Sequence, residues 1–194
     1  MTITAVVDQD SFRGRNDDGS ETTATWKALV NTDWSQNVDE NFRARFMLQE
    51  TAGGNPNNNF HLQYNLAAAG WNNVTGASSV VRSFASANVA DAAATTEQMA
   101  GPGTFEAGQF DEVDGAVSTT FSASRETEHE WCLQIISGDV TNGQTLQLRV
   151  IYEAGGVLDT YTNTPTITVI EAEATVNPSK PTIVNQAVHR AFSY

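Results

Sequence analysis

Cysteine, lysine and long apolar runs are all scarce in this chain of 194 residues, which has one cysteine, Cys132, and two lysines, Lys27 and Lys180. A single cysteine excludes an internal disulfide and a multi-cysteine zinc site. Ten Lys and Arg face 23 Asp and Glu, for a net charge of −13. Clustered cations for phosphate contacts are therefore missing, and the expectation is that nucleic acid is not a partner. No stretch approaches the roughly 18 apolar residues of a membrane span. MTITAVVDQD has neither the basic start nor the apolar core of a secretory signal, so the sequence predicts a product made in the cytoplasm without membrane attachment. The patterns HExxH and GxSxG and Gly-rich phosphate loops are absent as well.

The length suits one domain, and a hydrophobic content of 40% is enough to fill one core. Periodicity points to strands. Phe42, Ala44, Phe46 and Leu48 alternate with Arg43, Arg45, Met47 and Gln49, and Phe60, Leu62, Tyr64 and Leu66 repeat the rule. The loop TAGGNPNNN between them suggests a long hairpin. His129, Trp131, Leu133 and Ile135 alternate with Glu128, Glu130, Cys132 and Gln134. After TNGQ, Leu146, Leu148, Val150 and Tyr152 do the same, and TITVI at 166–170 supplies a last strand. Weaker strand signals lie at 25–30, 79–86, 104–110 and 119–124. A short helix over 91–99 is suggested by Asp91 as cap and the GPG at 101–103 as terminator, although the alanine-rich stretch also suits a loop. Eight to ten strands predict an all-β fold, an antiparallel two-layer β-sandwich, with jelly-roll-like topology favoured over immunoglobulin-like.

Charge divides the chain. All 23 acidic residues precede residue 174, whereas the segment 174–194 keeps Lys180 and Arg190 and no acidic side chain. Pro178 and Pro181 break any continuing strand. Ile183, Val184, Val188, Phe192 and Tyr194 are too apolar for a solvated linker and too few to fold alone, so they should dock on a surface. The expected organisation is an N-terminal strand or arm region at 1–40, a sandwich core at 41–173 and a C-terminal docking arm at 174–194. The assembly contacts of that arm are Lys180, Ile183, Val184, Val188, Arg190, Phe192 and Tyr194.

Residues able to do chemistry lack partners. His61, His129 and His189 lie in distant segments, and His129 falls on the apolar face of its strand. Cys132 sits within a strand beside acidic residues, which raises a thiol pKa and suits a packing role. Glu126, Glu128 and Glu130 share one strand face at a spacing of roughly 6.5–7 Å. That spacing resembles a glycosidase pair, but a solvated acidic face is the ordinary expectation. NDDGSE at 16–21 lacks ligands at the first and last positions of a calcium loop and predicts a turn. Asn73-Val74-Thr75 is a glycosylation triplet without a secretory route. No catalytic residue, cofactor or metal is expected. Trp131 belongs in the core by its alternation, which leaves Trp34 and Trp71 as candidate glycan contacts.

The order of several short motifs carries a resemblance over roughly residues 40–170. NFRARFMLQE is followed by FHLQYNL, GWNNV, SSVVRS, WCLQI, NGQTLQLRV and LDTYTNTPTITV. This grammar resembles that of bacteriophage virion proteins of β-sandwich type, found as head decoration or cement proteins and as tail appendages. The resemblance implies a non-enzymatic decoration protein on the capsid surface of the virion, with the major capsid protein and its own copies, as a homotrimer, for partners. The alternative it allows is a tail or fibre carbohydrate-binding module for host recognition through Trp34 or Trp71.

Overall fold

A computed structural model of the chain describes residues 3–56, 59–118 and 121–171. Among these residues there is no helix. Twelve strands form two sheets: β1 (Val7–Asn16), β2 (Trp34–Asn37), β3 (Phe42–Glu50), β4 (Phe60–Leu66), β5 (Asn72–Asn73), β6 (Val81–Ser83), β7 (Thr104–Asp111), β8 (Ala116–Val117), β9 (Arg125–Ile135), β10 (Thr145–Tyr152), β11 (Thr160–Tyr161) and β12 (Thr166–Ile170). The first sheet runs β11-β1-β3-β9-β6 with β7 also on β9, and the second runs β2-β12-β10-β4-β5 with β8 also on β4. The β1–β3, β3–β9 and β4–β10 ladders are antiparallel, as expected. Three parallel pairs, β1 with β11, β12 with β2 and β7 with β9, make both sheets mixed.

The alternation read from the sequence decides what faces inward. Phe42, Phe46, Leu48, Trp131, Leu133 and Ile135 from the first sheet meet Phe60, Leu62, Leu146, Leu148, Val150 and Val169 from the second in one core. Phe46 and Trp131 pack edge to face, with ring centres 5.8 Å apart. This facing arrangement overturns the expected hairpin. β3 and β4 do not pair; β3 pairs with β1 and β9, and β4 with β10. Each strand has one fully apolar face, and stacking those faces across the roughly 10 Å between sheets buries both, which the long loop at 51–59 can span.

β1 is a ten-residue strand placed between β11 and β3. Its register shifts between Gln9 and Ser11, so Val7 and Gln9 precede a bulge and Phe12 and Gly14 take over the inward positions after it. Gln9 then serves the opposite sheet. β12 covers only Thr145–Gln147 of β10. Further along that open edge the Val150 N–H donates to Gln9 Oε1 at 2.9 Å, and the Tyr161 hydroxyl donates to the Val150 carbonyl at 2.7 Å. Side chains from the first sheet thus satisfy a strand edge of the second.

No helix forms at 91–99. Ala92 has a left-handed φ of 59°, Ala94 bridges to Gln109, and Gln98 and Met99 spend their N–H groups on the Glu128 carboxylate. Bonds to the sheet replace those a helix would make with itself. The candidate strand at 25–30 reduces to one bridge between Trp26 and Arg15, and residues 121–124 form no strand.

Candidate functional site

The three glutamates of β9 form a cluster with arginines of the neighbouring strands, and they are not solvated. Glu126, Glu128 and Glu130 are fully buried, as are Arg15, Arg43 and Arg45 on the same outer face of the first sheet. The β3–β9 register sets Arg45 opposite Glu130 and Met47 opposite Glu128. Arg45 Nε donates to Glu130 Oε2 at 2.5 Å, and its Nη1 donates to Glu128 Oε2 at 2.6 Å. Arg43 Nη1 donates to Glu130 Oε1 at 3.1 Å, and Arg15 Nη1 lies 3.5 Å from Glu130 Oε2. Three guanidinium groups therefore converge on one carboxylate. Arg43 Nε faces Asp17 at 3.0 Å as an ion pair without hydrogen-bond alignment.

Two loops roof this face. From the loop after β1, Gly19 O and Ala24 O accept from Arg43 and Arg15, and the Glu21 carboxylate accepts from Arg45. From the loop before β7, Thr96 O accepts from Arg45 at 2.8 Å, and the N–H groups of Gln98 and Met99 donate to Glu128 Oε1 at 2.9 and 2.6 Å. Gly103 N–H donates to Glu126 Oε2 at 2.7 Å. The roofs also bind each other, Gln98 Nε2 donating to Glu21 O at 2.7 Å. The NDDGSE turn expected at 16–21 is present as part of this cover. Burial pushes the Glu128 carboxyl upward against the pull of Arg45 and the Met99 and Gln98 amides. Arg45, despite its own burial, is held protonated by Glu130 and Glu128. Glu128 and Glu130 are consumed by internal ion pairs and closed to a substrate, so the glycosidase-like spacing of this ladder does not correspond to an open pair.

The remaining reactive groups are also occupied by packing. Cys132 is buried with Val89 and Phe110; burial, and then Asp17, push its thiol upward. His129 is buried against Phe60 and Trp131, and burial lowers its pKa to about 4. Its Nδ1 accepts the Gln109 N–H at 3.0 Å, which fixes a neutral ring protonated on Nε2. His61 Nε2 lies 2.7 Å from the Val74 carbonyl. Among the described residues no group of three or more His, Cys, Asp or Glu is arranged to hold a metal.

The two candidate glycan contacts separate. Trp34 is 7% exposed and packs with Phe12 and Phe42 at ring distances of 6.2 and 6.4 Å, so it belongs to the core and not to a sugar platform. Trp131 is fully buried, in keeping with its alternation. Trp71 is half-buried on the outer side of the second sheet, with the Arg149 guanidinium 4.1 Å from its ring centre. The assembly residues Lys180, Ile183, Val184, Val188, Arg190, Phe192 and Tyr194, together with His189, lie outside the described residues.

A cleft of about 300 Å³ opens where the β7–β8 turn meets Asn59 and Glu153. Asp91, Asp111 and Asp114 line it with Phe110 and Val117. Burial pushes the Asp111 carboxyl upward, against hydrogen bonds from Ser83 and the N–H groups of 113–115. These carboxylates cap the turn. No family model, curated protein or solved structure matches the chain.

The sequence reading missed the buried network because it judged β9 alone. A usable signal was present in NFRARF, where Arg43 and Arg45 show the same two-residue spacing as Glu128 and Glu130. Two such ladders on neighbouring strands neutralise each other.

Proposed function

We propose that the chain is a non-enzymatic structural protein of a bacteriophage particle, a head decoration protein that binds the capsid exterior and cements it. The observation that carries this reading is the division of charge: a sandwich holding nearly all of the 23 acidic residues is followed by an acid-free segment with spaced apolar anchors. Such a segment can lie along an acidic neighbouring surface, adding Coulomb attraction to apolar burial. Fully burying Val184, Val188 or Phe192 would contribute roughly 1.5–3 kcal/mol each before ordering costs. Repetition over many copies makes modest contacts sufficient. The partners are the major capsid protein and further copies of the chain in a homotrimer, and the location is the virion surface after synthesis in the host cytoplasm. The β9 glutamates support a structural role, because their charge is spent on Arg15, Arg43 and Arg45 and on N–H groups of the loop before β7.

Light scattering after size exclusion tests this on the full chain and on a version ending at Glu173, each alone and with phage heads lacking the protein. The expected result is a defined trimer and coated heads for the full chain, with both weakened by truncation while the sandwich stays folded. Two monomers that leave heads bare would overturn the reading.

A further inference from the structure

The two outer sheet faces differ in charge. The strands of the second sheet, β2, β4, β5, β8, β10 and β12, contain no Asp or Glu, in a chain that has 23. Where the first sheet is roofed by loops, the second presents amides and hydroxyls, exposed at Ser35 and Asn73 and half-buried at Gln63, Gln147 and Thr168, and the half-buried Arg149 stands among them. Arg149 lies directly across from Gln63 on the neighbouring strand. Its Nε and Nη2 both donate to Gln63 Oε1, at 3.0 and 2.9 Å, and Gln63 Nε2 donates onward to Asn73 Oδ1 at 2.8 Å. The guanidinium stacks on Trp71 at 4.1 Å and lies 5.6 Å from the Tyr161 ring centre. Two rings and one amide thus fix its plane. Nη1 donates to no described residue, and no described carboxylate pairs with the group. Arg15, Arg43 and Arg45, by contrast, are each neutralised.

A guanidinium held in one plane with a free edge is preorganised for a carboxylate, since little side-chain freedom is lost on binding. Trp71 has one ring face taken by the guanidinium, and a sugar would stack by its C–H face on the other, while the surrounding amides and hydroxyls match a ligand rich in hydroxyl groups. A protein partner fits less well, because such an interface is built around a desolvated apolar centre and this face has few exposed apolar side chains. We propose that the Trp71–Arg149 face of the second sheet binds a carboxylate-bearing saccharide. The carboxylate pairs with the free edge of Arg149 and the sugar ring lies against Trp71. Acidic residues on the remaining surface repel such a ligand, so this carboxylate-free face is where it can settle. The proposal does not depend on the capsid role.

The test is titration calorimetry on the full-length protein with four probes: sialyllactose, oligogalacturonate, lactose and a neutral dextran oligosaccharide. One of the two carboxylated probes should bind, and which one does distinguishes a sialate from a uronate ligand. Its affinity should exceed that of the neutral probes by at least about tenfold and fall with added salt. Arg149→Gln and Trp71→Ala should each lower it by about tenfold or more, with Arg149→Lys intermediate, while circular dichroism and unfolding midpoints show the variants folded. Ending the chain at Glu173 should leave saccharide binding unchanged, which separates this proposal from the assembly arm. Silence from both carboxylated probes, equal binding of neutral ones, or full affinity in Arg149→Gln would overturn it. So would a dimer that Arg149→Gln dissolves, since the face would then be an interface between copies.

Discussion

Arg45 and Glu128 meet at 2.6 Å with neither side chain reaching solvent, and the same guanidinium also holds Glu130, Glu21 and the Thr96 carbonyl. One side chain therefore ties β3 to β9 and both roofing loops to the sheet. Removing one partner of a buried pair leaves the other charge desolvated, which typically costs about 3–5 kcal/mol. Arg45→Ala is expected to lose stability on that scale in urea unfolding. Amide exchange in 17–24 and 95–99 should speed up more than in the core strands. Slow exchange in both loops of the variant would mean that the network does not hold the roof.

How far this arrangement could be read from sequence depends on the face considered. Inward faces were legible, because Phe42 to Leu48, His129 to Ile135 and Leu146 to Tyr152 alternate, with only Met47, Cys132 and Ile151 apolar out of phase, and burial acts on each strand alone. Pairing was not legible. An apolar face reports that something covers it without naming the sheet that does, so β3 and β4 looked like a hairpin although they lie in opposite sheets. The region 1–40 could be read only as a strand or an arm, without bounds for β1, because the bulge breaks the alternation and the inward positions include Gln9 and Gly14. The buried Glu ladder required two facts at once, a neighbouring Arg ladder and loops long enough to cover it. Trp34 could not be separated from Trp71 until Gly14 was seen to make room for the larger ring inside.

His129 gives stability a pH dependence above the carboxylate range. Burial lowers its pKa to about 4, from about 6.5 when unfolded. The folded protein keeps the ring neutral while the unfolded chain takes up a proton, so the contribution is full above pH 6.5 and is lost as the pH falls toward 4. The loss is on the order of 3 kcal/mol. Asn at this position keeps an acceptor for the Gln109 N–H and cannot titrate. The stability advantage of the native protein over His129→Asn, from urea unfolding at several pH values, should therefore shrink between pH 6.5 and 4.5. A difference independent of pH would show that the ring does not set this slope.

Glu50 acts in a lower window. Desolvation raises its pKa, but N–H donors from Ser124, Gly54, Ala52 and Gly53 outweigh that and hold the carboxyl below its ordinary value. The Val6 N–H also reaches it, at 3.3 Å. This stabilisation is complete above the unfolded pKa of about 4.3 and is lost as the pH falls through the lower folded value. Glu50→Gln puts an amide among donors and should cost about 1.5–3 kcal/mol at pH 7. Unfolding at pH 7 and pH 3 should show the gap between the two proteins narrowing at the lower pH. An equal gap at both would mean the carboxylate charge contributes nothing.

Gly14 and Trp34 share one space in the core. A Cβ on Gly14 would fall 2.6 Å from the Trp34 ring, and that ring is fixed between Phe12 and Phe42. The backbone there is ordinary strand, so only the contact and not the conformation demands glycine. Gly14→Ala should force the indole aside and cost about 1–3 kcal/mol. Combined with Trp34→Phe, which empties part of the same volume, the added methyl should cost much less, giving a coupling well above the roughly 0.5 kcal/mol scatter of independent sites. The measurement is a double-mutant cycle by urea unfolding. Strict additivity would place the methyl and the indole in separate volumes and remove the steric reason for glycine at this position.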